Sequence, residues 1–398
     1  MTQPKQLDVA ALVCDPKTRI VVTCGSGGVG KTTTAAALAL LGAEAGRRTV
    51  VLTIDPARRL AQSMGLTELD NTPREVKGVE NGQLFAMMLD MKRTFDEVVA
   101  EHSTPERAAA IFENPFYQTL SSSFAGTQEY MAMEKLGQLA ATNEWDLIIV
   151  DTPPSRSALD FLDAPNRLGR FLDGRMIRML TAPARAGGKA YVKVVTASVG
   201  VFARVFTKVL GGELLTDVAS FVTALESMFG GFRERAQHTY ELLKAPGTAF
   251  VVVAAPEPDA LREASYFVER LSDERMPLAG LVINRIRRTA PVDGPPLSAA
   301  RAESCADTLA RKPDSDSGAV AEAALRVHAE IAGAAEHDAR MSRRFSAAHP
   351  QTGVIEVPAL PVDVHDLDGL RRIGELLTKP LAPVTRARNS SPQPEPAT

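Results

Sequence analysis

The sequence predicts an α/β fold: a mostly parallel sheet flanked by helices, with a helical subdomain inserted. Three observations carry that prediction. Apolar, β-branched runs (Ile20 to Thr23, Arg48 to Ile54, Leu84 to Leu89, Leu147 to Val150, Ala249 to Ala255, Leu278 to Ile283) alternate with helix-forming stretches, as in buried parallel strands joined by crossover helices. The first run opens directly into Gly25-Ser26-Gly27-Gly28-Val29-Gly30-Lys31-Thr32-Thr33, and Ala35 to Leu40 follows as a strong helix former. The run Leu147 to Val150 ends in a carboxylate, Asp151.

Strand, glycine loop and helix form the context in which G-x-x-x-x-G-K-[ST] marks a phosphate site, so the fold class sharpens to a P-loop NTPase. Glycines let the backbone curl into a nest of inward N–H groups, and the positive end of the next helix reinforces it for an anion. The expected nucleotide-binding residues are Gly27, Gly28, Val29, Gly30, Lys31, Thr32 and Thr33. Lys31 would reach the β- and γ-phosphates, and the Thr32 hydroxyl would ligate Mg²⁺. Asp151, ending a buried aliphatic strand about a hundred residues after the loop, is the expected Walker B carboxylate, holding Mg²⁺ through water. Asp55, ending the second strand, lies on the ligand side of such a sheet. Two roles are open to it: orienting the water that attacks the γ-phosphate, or capping the helix that Pro56 would begin.

Composition sets limits around this reading. The chain has 398 residues, 45% hydrophobic and 23% charged, with a formal net charge of −3. That balance argues against a broad nucleic-acid surface, which needs clustered excess Lys and Arg. Met1 to Lys17 carries charges throughout, so no signal peptide is expected. No uninterrupted apolar run reaches the ~20 residues of a membrane-spanning helix. Cys14, Cys24 and Cys305 are scattered and suit a reducing cytoplasm.

The loop at Gly25 to Thr33, Asp55-Pro56-Ala57 and Asp151-Thr152-Pro153-Pro154, in this order and spacing, resemble the arsenite-pump (ArsA-type) ATPase family. That family includes the ATPase guiding tail-anchored membrane proteins and belongs to the deviant Walker A group of dimeric ATPases. The resemblance covers most of residues 18 to 285 and resumes around Val354 to Leu377. It implies ATP and Mg²⁺ as cofactors, a switch I role for Asp55 beside catalytic Lys31, and an adenine-reading role for Asn284. Pro256 to Asp259 resembles the adenine-side loop, and Pro358, in the strand and loop at Val354 to Pro361, is expected to flank the base. It also implies a dimer whose opening and closing is coupled to a helical region that handles a cargo or a membrane-associated partner.

Departures from the family pattern matter as much. Relatives carry a lysine where this chain has Ser26, and that lysine neutralises phosphate charge in the partner's site. A hydroxyl carries no charge, so the expected assembly is a heterodimer with a homologous ATPase that retains the lysine. The alternative is an ATP-binding regulatory subunit with weak hydrolysis. Ser157 stands where switch II usually has His. Grouped thiolates or histidines are missing from the sequence, so neither a zinc nor an arsenite site is expected.

The chain then divides as follows. Residues 1–17 are a lead-in; 18–285 and 354–378 form the ATPase core; 92–141 and 160–245 form the helical subdomain; 286–353 form a helical arm; 379–398 form a disordered tail rich in Pro, Ser and Arg. Gly42 and Gly46 are expected to mark the end of the first core helix, Asn284 the end of the strand from Leu278, and Val364 the start of the last helix. Residues 191–210 pattern as a basic amphipathic helix, which suits a core-facing helix with a solvated basic face, or a client or membrane contact. The protein is expected in the cytoplasm, peripheral association with a membrane being a further option, with a hydrophobic client or membrane protein as partner and no nucleic acid. A positioning ATPase acting on DNA or a membrane surface is the remaining alternative, disfavoured by the net charge.

Overall fold

A computed structural model describes residues 5–55, 59–114, 117–118, 127–153, 234–289, 296–311 and 316–379. Pro56, Ser157, the predicted helix 191–210 and the tail 380–398 lie outside these residues.

Eight strands form one sheet in the order β3-β4-β2-β5-β1-β6-β7-β8. They are β1 (Ile20–Cys24), β2 (Arg48–Thr53), β3 (Arg74–Glu75), β4 (Gln83–Met88), β5 (Leu147–Asp151), β6 (Thr248–Ala254), β7 (Leu278–Ile286) and β8 (Val354–Pro358). The short edge strand β3 runs antiparallel to β4, and the other pairings are parallel. The strand carrying the glycine loop, β1, is central, between β5 and β6. The helices are α1 (Val9–Cys14), α2 (Lys31–Glu44), α3 (Arg59–Ser63), α4 (Met91–Glu101), α5 (Pro105–Glu113), α6 (Thr127–Ala141), α7 (Pro258–Asp273), α8 (Ala299–Ala310), α9 (Asp316–Ala348) and α10 (Leu367–Thr378), and residues 234–244 are also helical.

Strand alternation builds a core on each face. Val22, Val50, Leu52, Ile148 and Val150 point to the face covered by α4, α6 and α7. Val21, Val51, Leu147 and Ile149 point to the face of α2 and α10. By the same parity Thr23, Thr53 and Asp151 lie on the α2 face, and the strand register sets all three at one level, Thr23 and Thr53 both opposite Asp151. Strand alternation and register together thus align three polar side chains at the carboxyl rim.

Four details depart from the sequence reading. Gly42 lies inside α2, where a Cβ would come within 2.5 Å of Leu147, so it is a close-packing residue and Gly46, with φ of 91°, makes the turn. The strand β7 runs on past Asn284 to Ile286 through a register shift, with Arg285 at φ 62°. The last helix starts at Leu367, because Asp366 caps it by accepting from the Gly369 N–H at 2.7 Å. The lead-in contains α1, whose Val9 and Val13 are buried, and Arg47 ties it down by donating to the carbonyls of Val13, Asp15, Thr18 and Asp146.

Helices α8 and α9 pack against each other as a hairpin. The far end of α9 is fixed to the sheet by buried Asp338, which accepts from Arg287 Nε at 2.9 Å and from the Arg287 backbone N–H at 2.8 Å.

Candidate functional site

The loop between β1 and α2 is shaped from below by the sheet. A Cβ at Gly25 would sit 2.0 Å from the Val253 carbonyl oxygen, so only glycine permits the loop to leave the strand so close to β6. Gly30 caps α2 in the left-handed region at φ 94°, and a Cβ there would meet Asn284 Nδ2 at 2.2 Å. Asn284 fills that space by donating from Nδ2 to the Val29 carbonyl at 2.9 Å, while its Oδ1 accepts from the Arg285 N–H. The residue expected to read adenine therefore braces the glycine loop in this structure, with one amide proton and one lone pair still to spare. Gly27 and Gly28 are exposed and Val29 is buried.

The first residue of α2, Lys31, is 5% exposed and donates from Nζ to the Ser26 carbonyl at 2.8 Å. Two more ammonium protons are available from that position. Burial lowers its pKa from the ordinary ammonium value, against the opposing pull of Asp151 and Asp55. Burial likewise pushes the Cys24 thiol up to about 12, so it stays protonated beneath the loop. The Ser26 hydroxyl is enclosed and has no hydrogen-bond partner among the described residues.

Asp151 is fully buried at the end of β5. Its Oδ2 accepts from the Thr53 hydroxyl at 2.9 Å, and its Oδ1 has no partner among the described residues. Burial pushes its carboxyl up to about 6, with the Thr32 and Thr53 hydroxyls and the Lys31 ammonium acting the other way. An orphaned carboxylate oxygen beside a threonine hydroxyl suits a hard cation. Among the described residues no group of three or more His, Cys, Asp or Glu could hold a metal. Mg²⁺ needs less, since it binds through one or two carboxylates with phosphate and water oxygens. Thr32 and Asp151 thus fit the ion as hydroxyl and carboxylate donors, with Thr53 holding the second carboxylate oxygen.

Asp55 follows the end of β2, four residues before α3 begins at Arg59. Its backbone N–H donates to the Thr53 hydroxyl at 3.2 Å. The preceding residue is fixed at both ends: the Ile54 N–H donates to the Asp151 carbonyl, and the Ile54 carbonyl accepts from Gln128 Nε2, each at 2.9 Å. Sequence reasoning missed Thr53 and Gln128. A threonine ending a strand is indistinguishable from an ordinary strand former, and nothing in the chain order ties Gln128 to Ile54.

Pro358 lies on the opposite side of β1, ending β8 opposite Ile286 in the register, and the Ala359 N–H donates to the Ile286 carbonyl at 2.9 Å. Beside it Arg287, Arg288, Glu330, Ile331, Ala334 and Ala359 line a cleft of about 340 Å³. The structure therefore gathers the loop, Thr32, Asp151 and Asp55 around one rim, with Asn284 behind the loop and Pro358 at its far edge.

A central parallel strand that turns through such a loop into a buried helix, with a neighbouring strand delivering one carboxylate, is the arrangement of P-loop nucleoside triphosphatases. Comparison with known proteins narrows this. Residues 18–304 match the family of anion-transporting ATPases. The chain is 31% identical to the ATPase ARSA2 of Chlamydomonas reinhardtii over 281 residues, 70% of each chain. It is 23% identical to the ATPase GET3 of Podospora anserina over 370 residues, 92% of each. Against the ATPase ASNA1 homolog 1 of Paramecium tetraurelia it is 34% identical over 152 residues, 37% of this chain and 44% of the relative. The chain belongs to the anion-transporting ATPase family and is an ATPase.

Among the described residues no helix is long and apolar enough to cross a membrane.

Proposed function

We propose that this protein is a Mg²⁺-dependent ATPase in which the β1, β2 and β5 rim handles the triphosphate, and that nucleotide state opens and closes a dimer. The supporting observation is the buried Asp151 carboxylate, one oxygen held by Thr53 and the other without a partner among the described residues, beside Lys31 and Thr32. The loop amides of Gly27 to Thr33 bind the phosphates at the N-terminus of α2, and Lys31 adds a charge next to the γ-phosphate. Thr32 and Asp151 would hold Mg²⁺, the threonine by its hydroxyl and the aspartate by its carboxylate. Bound there, Mg²⁺ would supply positive charge against that developing on the transferred phosphate. Asp55 accepts a hydrogen bond from the attacking water and orients it towards the γ-phosphate. Asn284 and Pro358 flank the adenine.

Single-turnover phosphate release by the full chain, with Mg²⁺ and with chelator, tests this. Asp55→Asn is expected to bind Mg–ATP about as tightly as wild type and to release phosphate about 100-fold more slowly. Hydrolysis at the wild-type rate would remove Asp55 from the reaction.

The second reading concerns the partner. The uncharged Ser26, its hydroxyl enclosed and unpaired among the described residues, supports a heterodimer with a homologous ATPase that keeps the lysine. In that complex this subunit is either a full catalyst or an ATP-binding regulator with weak hydrolysis, working in the cytoplasm on a hydrophobic client or a membrane protein. Turnover of the purified chain is expected to rise several-fold on adding the lysine-bearing homologue. Equal turnover with and without it rules the heterodimer out.

A further inference from the structure

We propose that Thr53 is a positioning residue for hydrolysis, whose single hydroxyl makes the placement of Asp55 depend on Asp151. This rests on the reading that Asp55 orients the attacking water.

The argument begins with the proton count. A threonine hydroxyl has one proton and two lone pairs, whereas an ionised carboxylate can only accept. Two acceptors lie within reach of the Thr53 proton, the Asp55 carbonyl at 3.5 Å and Asp151 Oδ2 at 2.9 Å, and the nearer, charged one takes it. The lone pairs are then left for the Asp55 N–H, 3.2 Å away. One buried atom, on a residue 1% exposed, thus joins the metal-side carboxylate to the backbone of the water-side one. The Ile54 N–H, bonded to the Asp151 carbonyl, provides a second link from the same strand end, and Gln128 holds the Ile54 carbonyl from α6. Residues 54 and 55 therefore ride on the end of β5. Any adjustment of Asp151 towards a cation is passed to Asp55 through a bond that only a hydroxyl at position 53 can make.

Register alone would allow Val here: the site is buried, and the strand favours β-branched residues. Thr53→Val keeps that shape while leaving Asp151 Oδ2 and the Asp55 N–H without their shared partner. Thr53→Ser keeps the hydroxyl and removes only a methyl group.

The test uses the full chain and two readouts. Hydrogen exchange in the nucleotide-free protein reports the link itself: peptides spanning residues 52–60 should exchange about 10-fold faster in Thr53→Val and close to the wild-type rate in Thr53→Ser. Single-turnover hydrolysis reports its use. Thr53→Val should slow phosphate release by about 10- to 100-fold with ATP affinity held within about threefold, and Thr53→Ser should restore the rate to within about threefold. The double variant Thr53→Val with Asp55→Asn should be no slower than Asp55→Asn alone. Should Thr53→Val be insoluble, Thr53→Ala carries the same expectations. If Asp55→Asn is slow but Thr53→Val hydrolyses like wild type, or exchange at 52–60 is unchanged, the proposal is wrong. A double variant markedly slower than Asp55→Asn also overturns it, because Thr53 would then act by another route. If Asp55→Asn itself keeps the wild-type rate, the reading of Asp55 fails, and with it the proposal, whatever the exchange shows.

Discussion

The two sides of β1 support the glycine loop by different means. Towards β5 and β2 the rim is chemical: Thr53 donates to Asp151, the Asp55 amide leans on Thr53, and one carboxylate oxygen is unpaired among the described residues. Towards β6 and β7 it is steric: Gly25 lies against the Val253 carbonyl, and the Asn284 amide fills the space beneath Gly30. The first side carries groups whose charge is expensive to bury; the second fixes the shape of the cradle with neutral contacts. Separating these tasks lets the loop amides stay preorganised for phosphate while charge is rearranged next door.

Substitutions on each side should therefore fail differently. The largest stability effect belongs to the steric side. Gly25→Ala forces a methyl into a backbone carbonyl of a central strand, so stability should fall by about 3 kcal/mol or more in denaturant unfolding, and ATP affinity should fall with it.

On the chemical side Asp151→Asn should do the reverse. The native carboxyl, pushed up to about 6 from an ordinary 3.8, holds its proton more tightly than the unfolded chain does. Native stability of the nucleotide- and magnesium-free protein therefore falls as pH rises from about 4 to 6, and the full penalty applies above that. Asp151→Asn should stabilise this form by up to about 3 kcal/mol at pH 7.5 and by little at pH 4, while Mg²⁺-dependent phosphate release is lost. Thermal melts at the two pH values check the sign.

The smallest effect is expected at Asn284→Ala. Losing the bond to the Val29 carbonyl should lower stability by about 1 kcal/mol and weaken ATP several-fold, with hydrolysis of bound nucleotide little changed. Calorimetric titration against single-turnover rates separates the two.

Much of this was legible in the chain. A glycine loop between a β-branched strand and an alanine-rich helix is local information, and so is an aliphatic run ending in Asp151. The helix limits were less legible because packing overrides local signals: Gly42 looks like a stop, yet it is buried inside α2 against Leu147. Asn284 looks like a strand end, yet a left-handed Arg285 lets β7 continue. Thr53 was hidden for another reason. Its role comes from register with Asp151 across two strands about a hundred residues apart in sequence, and no spacing rule reports that.

The central claim is that one buried ammonium and the loop amides hold the terminal phosphates. Calorimetric titration of Mg–ATP into the full chain and into Lys31→Ala tests it most directly. A loss of about 100-fold or more in affinity, with the fold intact by circular dichroism, is the expected result. Affinity equal to that of the parent protein would contradict the account.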